Sequence, residues 1–127
     1  MRVGESLEMP AELLAEQAGP AGEDVVAEAG PPLHELLLAS VPTPVLRSSR
    51  DRLLGPLREY DDRHNAQLVG TLRSFLDCDG SWAACASLMY VHVNTVRYRI
   101  RRIEELTGRD LSRLDDQVDF FLALRIR

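Results

Sequence analysis

The stretch HVNTVRYRIRRIEELTG, residues 92–108, decides the fold of this chain. Val96, Ile100, Ile103 and Leu106 or Thr107 recur at the spacing that places them on one stripe of a helix, while Asn94, Arg97, Tyr98 and Arg101 fall on the opposite side. Four arginines (Arg97, Arg99, Arg101, Arg102) precede the first acid, Glu104. One face is built to pack and the other to meet an anion. The spacing predicts a helix from about Val93 to Leu106, capped by His92 or Asn94 and stopped at Thr107-Gly108.

Immediately upstream, Ser81 is a good N-cap for a short helix through Leu88 or Met89 that is rich in small residues: Ala83, Ala84, Cys85 and Ala86. Small side chains allow a second helix to cross closely. An alanine-rich helix, a turn of about three or four residues and an arginine-rich helix are the pattern of a helix-turn-helix. In that pattern Cys85 and Ala86 form the close contact, Met89 and Val91 flank the turn, and Val96 and Ile100 anchor the second helix. Tyr90 stands where a turn glycine is usual, and a bulky residue there is expected to keep its backbone in an ordinary region.

Further out, residues 65–77 form an amphipathic pattern with Leu68, Leu72, Phe75 and Leu76 on one side and Arg73 on the other, ended by Asp79-Gly80. Ser48 or Ser49 is expected to cap a short helix through Leu54, with Gly55-Pro56 as a break before a further turn. A last helix is expected to open at Asp115 or Asp116 and to close the core with Val118, Phe121, Leu122 and Leu124. No alternating strand pattern appears after residue 45. Residues 1–44 hold six of the seven prolines, four glycines and no Phe, Tyr or Trp, which reads as a flexible acidic leader. Short helical turns are possible around Leu13 and from Leu33 to Ala39. The expected organisation is therefore a leader over 1–44, a short helical linker over 45–62 and a helix-turn-helix domain over 63–127.

The formal charge of −5 hides an uneven distribution. The first forty residues carry eight acids against Arg2 alone, leaving fourteen arginines against twelve acids in the remainder. An acidic total does not argue against a nucleic-acid partner, because local basic faces make the phosphate contacts. All basic residues are Arg, which favours planar bidentate contacts. No apolar run approaches the roughly 18 to 20 residues needed to cross a bilayer, and the acidic start lacks the features of a secretory signal, so a cytoplasmic location is expected. Cys78 and Cys85 have no second pair or ligand histidine at zinc-finger spacing and read as ordinary thiols, so neither metal nor cofactor is expected.

A helix entering the major groove presents base edges to the exposed residues of its first two turns, here Val93, Asn94 and Arg97. Asn suits an adenine edge, Arg a guanine edge and Val a thymine methyl. His92, Thr95, Tyr98 and Arg101 are placed for phosphates, aided by the positive end of the helix dipole. Arg99 lies beside the apolar stripe and is open to a salt bridge or a phosphate contact; Arg102 and Glu105 can pair along the helix. Trp82 reads as a packing residue rather than a stacking platform, and the acids at 115, 116 and 119 as a first helical turn suited to the dipole rather than a cation site. His92 has no nucleophile or paired carboxylate at useful spacing, so no catalytic residue and no enzyme activity are expected.

Residues 92–111, HVNTVRYRIRRIEELTGRDL, together with the preceding helix and DDQVDFFLALR at 115–125, resemble the C-terminal helix-turn-helix domain of PucR-type transcriptional regulators, relatives of the CdaR sugar-diacid regulators. The pattern His-x-Asn-Thr-x-Arg-Tyr-Arg, followed by Arg-Ile-Glu and Thr-Gly, carries the likeness over about residues 62–125, and LGPLREYD at 54–61 resembles the segment preceding that domain. The resemblance implies an all-α, Fis-like helix-turn-helix bundle that binds double-stranded DNA as the output domain of a bacterial regulator, in a family that usually adds a ligand sensor and a GGDEF-like linker domain. A chain this short is expected to lack that sensor, so a small-molecule effector is not expected to bind it. A homodimer is expected because two half-sites raise affinity and specificity. The alternative is a protein-interaction or dimerisation module that pairs with full-length relatives through residues 65–77 or 118–124 without touching DNA itself.

Overall fold

A computed structural model describes residues 30–127. Two units are distinguished, residues 1–36 and 37–127, and the division falls within the first described helix, α1 (Leu33–Ser40). The second unit continues with α2 (Thr43–His64), α3 (Leu68–Asp77), α4 (Trp82–Met89), α5 (Val93–Thr107) and α6 (Leu114–Ala123). Among the described residues there is no strand, so the all-α expectation holds. No described helix is long and apolar enough to cross a membrane. The helical turns expected around Leu13 lie outside the described residues, whereas those from Leu33 to Ala39 lie within α1.

The core forms where the expected stripes converge. Leu68, Leu72 and Phe75 of α3 meet Cys85 and Ala86 of α4 and Val96, Ile100 and Ile103 of α5, all buried. The most extensive helix contact joins α4 to α5, with α3 packed across both. Cys85 and Ala86 are the small buried residues of α4, which is what lets α5 approach it.

Two expectations at α2 are corrected. Thr43–His64 is one helix, without a break at Gly55-Pro56 and without a cap at Ser48 or Ser49; it starts after Pro42, with Pro44 in its first turn. Proline inside a helix removes one backbone hydrogen bond and crowds the residue before it. That residue is Gly55, whose missing Cβ relieves the crowding, and Leu54 and Leu57 on either side are fully buried, so packing overrides the local cost. Leu54 and Leu57 thereby join the core of the helix-turn-helix itself.

The start of α3 is also displaced from expectation. Asn65 and Gln67 both adopt left-handed backbone conformations, φ 50° and 57°, so the helix begins at Leu68 and not at Asn65. Its cap comes from outside: the Asp61 carboxylate of α2 accepts from the backbone N–H of Leu68 at 2.7 Å and of Val69 at 3.0 Å. A carboxylate there satisfies two otherwise unpaired donors and faces the positive end of the helix dipole.

In α6 the buried residues are Phe120 and Ala123, with Leu124 packed against the core. Phe121 and Leu122 are half-buried and Val118 is 43% exposed, so the face expected to close the core is rotated. Residues 118 and 120–124 are apolar nearly all the way round, and periodicity alone does not choose a face. The loop before α6 fixes the choice: Gln117 Nε2 donates to the Leu111 carbonyl at 2.7 Å, and Arg109 pairs with Asp116 at 3.0 Å and also with Asp119. These acids are engaged in holding α6 to the end of α5.

Candidate nucleic-acid interface

The turn between α4 and α5 departs from expectation at Tyr90. Its backbone is left-handed, φ 58° and ψ 42°, the conformation a glycine would take, rather than an ordinary one. The Val91 N–H donates to the Ala86 carbonyl at 3.0 Å and the Tyr90 N–H to Ser87 at 3.3 Å, closing the end of α4. The Tyr90 side chain is 94% exposed and meets no obstacle in solvent, so the strain is confined to the backbone.

Both helices of the pair are capped by local side chains. Ser81 Oγ accepts from the Ala84 N–H at 3.1 Å. His92 Nδ1 accepts from the Asn94 N–H at 3.0 Å, so in the neutral ring the proton sits on Nε2, free to donate outward. The first turn of α5 holds no acid, so its dipole presents an uncompensated positive end. Gly108, at φ 70°, ends α5, and Glu104 turns back to accept from the Leu111 N–H at 2.8 Å.

The residues singled out in sequence share the N-terminal half of α5 but differ in surroundings. Asn94, Arg97, Tyr98 and Arg101 are exposed, as is His92. Thr95 is half-buried, and Val93 is half-buried against the core, which leaves only part of its side chain for a groove. Among the described residues Arg101 makes no side-chain hydrogen bond or ion pair.

The other arginines are held. Arg97 lies over the Trp82 ring, 5.8 Å from its centroid, and Trp82 in turn packs on Phe75 at 5.1 Å. Among the described residues Arg99 makes no salt bridge; its guanidinium donates to Thr71 Oγ1 at 3.2 Å, and Thr71 is fully buried. Arg102 pairs with Glu105 at 3.1 Å, donates to the Tyr98 hydroxyl at 3.0 Å and lies 5.5 Å from the ring centroids of both Tyr60 and Tyr98. Its Nε, buried between them, has no hydrogen-bond partner among the described residues. The Arg102 hydrogen bond, followed by one from Tyr60, holds the Tyr98 phenol below its ordinary range; partial burial, then the bond to Tyr98, pushes Tyr60 up.

Sequence reasoning had no means of finding Tyr60 in this cluster, because it comes from α2, far along the chain. The Tyr98 and Arg102 pair, by contrast, stands at i and i+4 on one helix, a spacing that brings side chains together. Arg97 and Arg102 are thus held by neighbouring rings, whereas among the described residues the side chains of Asn94 and Arg101 make no hydrogen bond or ion pair.

Residues 68–126 match the model of the PucR C-terminal helix-turn-helix domain. The DNA-binding transcriptional activator AdeR of Bacillus subtilis is 31% identical over 58% of this chain and 18% of its own length. The carbohydrate diacid regulator of Escherichia coli is 35% identical over 59% of this chain and 19% of its own. An uncharacterised protein of Thermomonospora curvata is 37% identical over 90% of this chain and 61% of its own. The chain thus spans about a fifth of the two regulators it resembles. No solved structure matches it.

Proposed function

We propose that this chain, whose residues 68–126 match the PucR C-terminal helix-turn-helix domain and which is similar to a DNA-binding transcriptional activator, binds double-stranded DNA sequence-specifically by laying α5 in the major groove. The observation that carries the proposal is the exposed N-terminal half of α5, where Asn94, Arg97 and Arg101 stand together with no acid in the first turn. Asn94 and Arg97 read base edges, Asn on adenine and Arg on guanine. Arg101, His92 through Nε2–H, Thr95 and the Tyr98 hydroxyl hold the backbone phosphates. Val93 borders the groove with the part of its side chain that remains open.

The active species is a homodimer, since one module makes few base contacts and two half-sites about one helical turn apart give workable affinity. Titration of a duplex at increasing salt tests the proposal: log affinity should fall by about 0.9 per log salt for every phosphate contacted. Retention of function after replacing Asn94 and Arg97 together by alanine would instead favour the interaction-module reading.

A further inference from the structure

We propose that Trp82 is a positioning residue for Arg97, and through it a determinant of the base that α5 accepts. The inference rests on the DNA reading of α5. Trp82 opens α4 directly after the Ser81 cap, yet its ring reaches across to α5. It packs on Phe75 of the core, with centroids 5.1 Å apart and planes tilted by 53°. The same ring carries the Arg97 guanidinium, 5.8 Å from its centroid. It remains 36% exposed, so the indole forms a platform anchored to the core and open to the cationic face.

An arginine standing alone on a helix surface samples many rotamers and loses that freedom when it engages a base. Indole is the best of the aromatic partners for a cation, and a guanidinium held over a ring by cation–π attraction keeps N–H donors outside that contact. Such donors pair bidentately with guanine O6 and N7. Arg97 is therefore ordered before DNA arrives, and the ordering comes from the first helix of the motif rather than from the reading helix. Among the described residues Arg101, one turn further on, makes no cation–π contact and suits a phosphate, which tolerates looser geometry.

Two measurements on the full chain test this. In nuclear magnetic resonance of the free protein, the Arg97 side-chain N–H should be shifted upfield by the indole and less mobile than that of Arg101, and Trp82→Leu should abolish both differences. In selection from duplexes with a randomised central segment, Arg97→Ala should flatten the preference at one base of each half-site. Trp82→Leu should weaken discrimination at that same base roughly two- to fivefold, leaving other positions and the affinity for a mixed-sequence duplex unchanged. Trp82→Phe, which preserves the packing on Phe75, should show a smaller loss at the same base.

A Trp82 variant that weakens all positions alike would show a merely structural role and overturn the proposal. So would an Arg97 side chain as mobile as Arg101 in the free wild-type chain. Failure of the wild-type chain to enrich any sequence, with the Arg97 shift present, would overturn the DNA reading itself and with it any role in base choice.

Discussion

Tyr90 carries a left-handed backbone that costs a side-chain-bearing residue about 1 to 2 kcal/mol. Glycine would remove that strain but enlarge the entropy lost on folding by about 0.5 to 1 kcal/mol. Tyr90→Gly should therefore stabilise the chain by roughly 0.5 to 1 kcal/mol, read as a higher midpoint in urea. A lower midpoint would mean that the phenol makes a favourable contact despite its exposure. The sequence located this turn but not its geometry, because the bonds that enforce it come from Ala86 and Ser87 in the preceding helix.

The arginines of α5 likewise part company once their neighbours are known. Arg97→Ala should cost about 1 to 3 kcal/mol of discrimination at one base, whereas Arg101→Ala should weaken all duplexes alike and lower the salt slope by about 1. Tyr98 should ionise below the ordinary tyrosine value of 10 and Tyr60 above it, visible as separated steps in the alkaline absorbance of the phenols. Arg102→Ala should narrow the gap, since the Arg102 hydrogen bond is the largest cause of the Tyr98 shift.

Among the elements, α4 and α5 were the most legible in sequence because their signals are local: Ser81 and His92 as caps, Gly108 as a stop, and apolar stripes that select one face. For α2 the local signals misled, since Gly55-Pro56 reads as a break while the burial of Leu54 and Leu57 acts at a distance. The same holds for α3, whose cap is Asp61 on the neighbouring helix and not a residue at its own start. Asp61→Ala should leave the Leu68 and Val69 N–H groups uncapped and destabilise the chain by about 1 to 2 kcal/mol. Thermal unfolding would check this, and an unchanged midpoint would mean that water replaces the carboxylate without loss.

For the molecule as a whole, Asp51, Asp110 and Asp115 are all held below the ordinary aspartate value of 3.8, by hydrogen bonds from Arg50, Ser112 and Arg113 respectively. Their stabilising contribution is complete above that value and is lost as pH falls through the lower folded ones, so acid should erode stability only below about pH 4 through these groups. A thermal midpoint followed against pH would reveal the trend. Legibility at this scale was greatest for the helical class and least for the rotation of α6, whose sequence offers several apolar faces and leaves the choice to Arg109, Gln117 and the loop before it. The central claim is that α5 meets duplex DNA through its N-terminal half, and the most direct measurement is amide and side-chain resonance mapping of the labelled chain during titration with a duplex it selects. Perturbations should concentrate on His92, Asn94, Thr95, Arg97, Tyr98 and Arg101, with the resonances of α6 unmoved; a duplex that perturbs α6 or α2 and spares these residues would show that α5 is not the DNA-contacting helix.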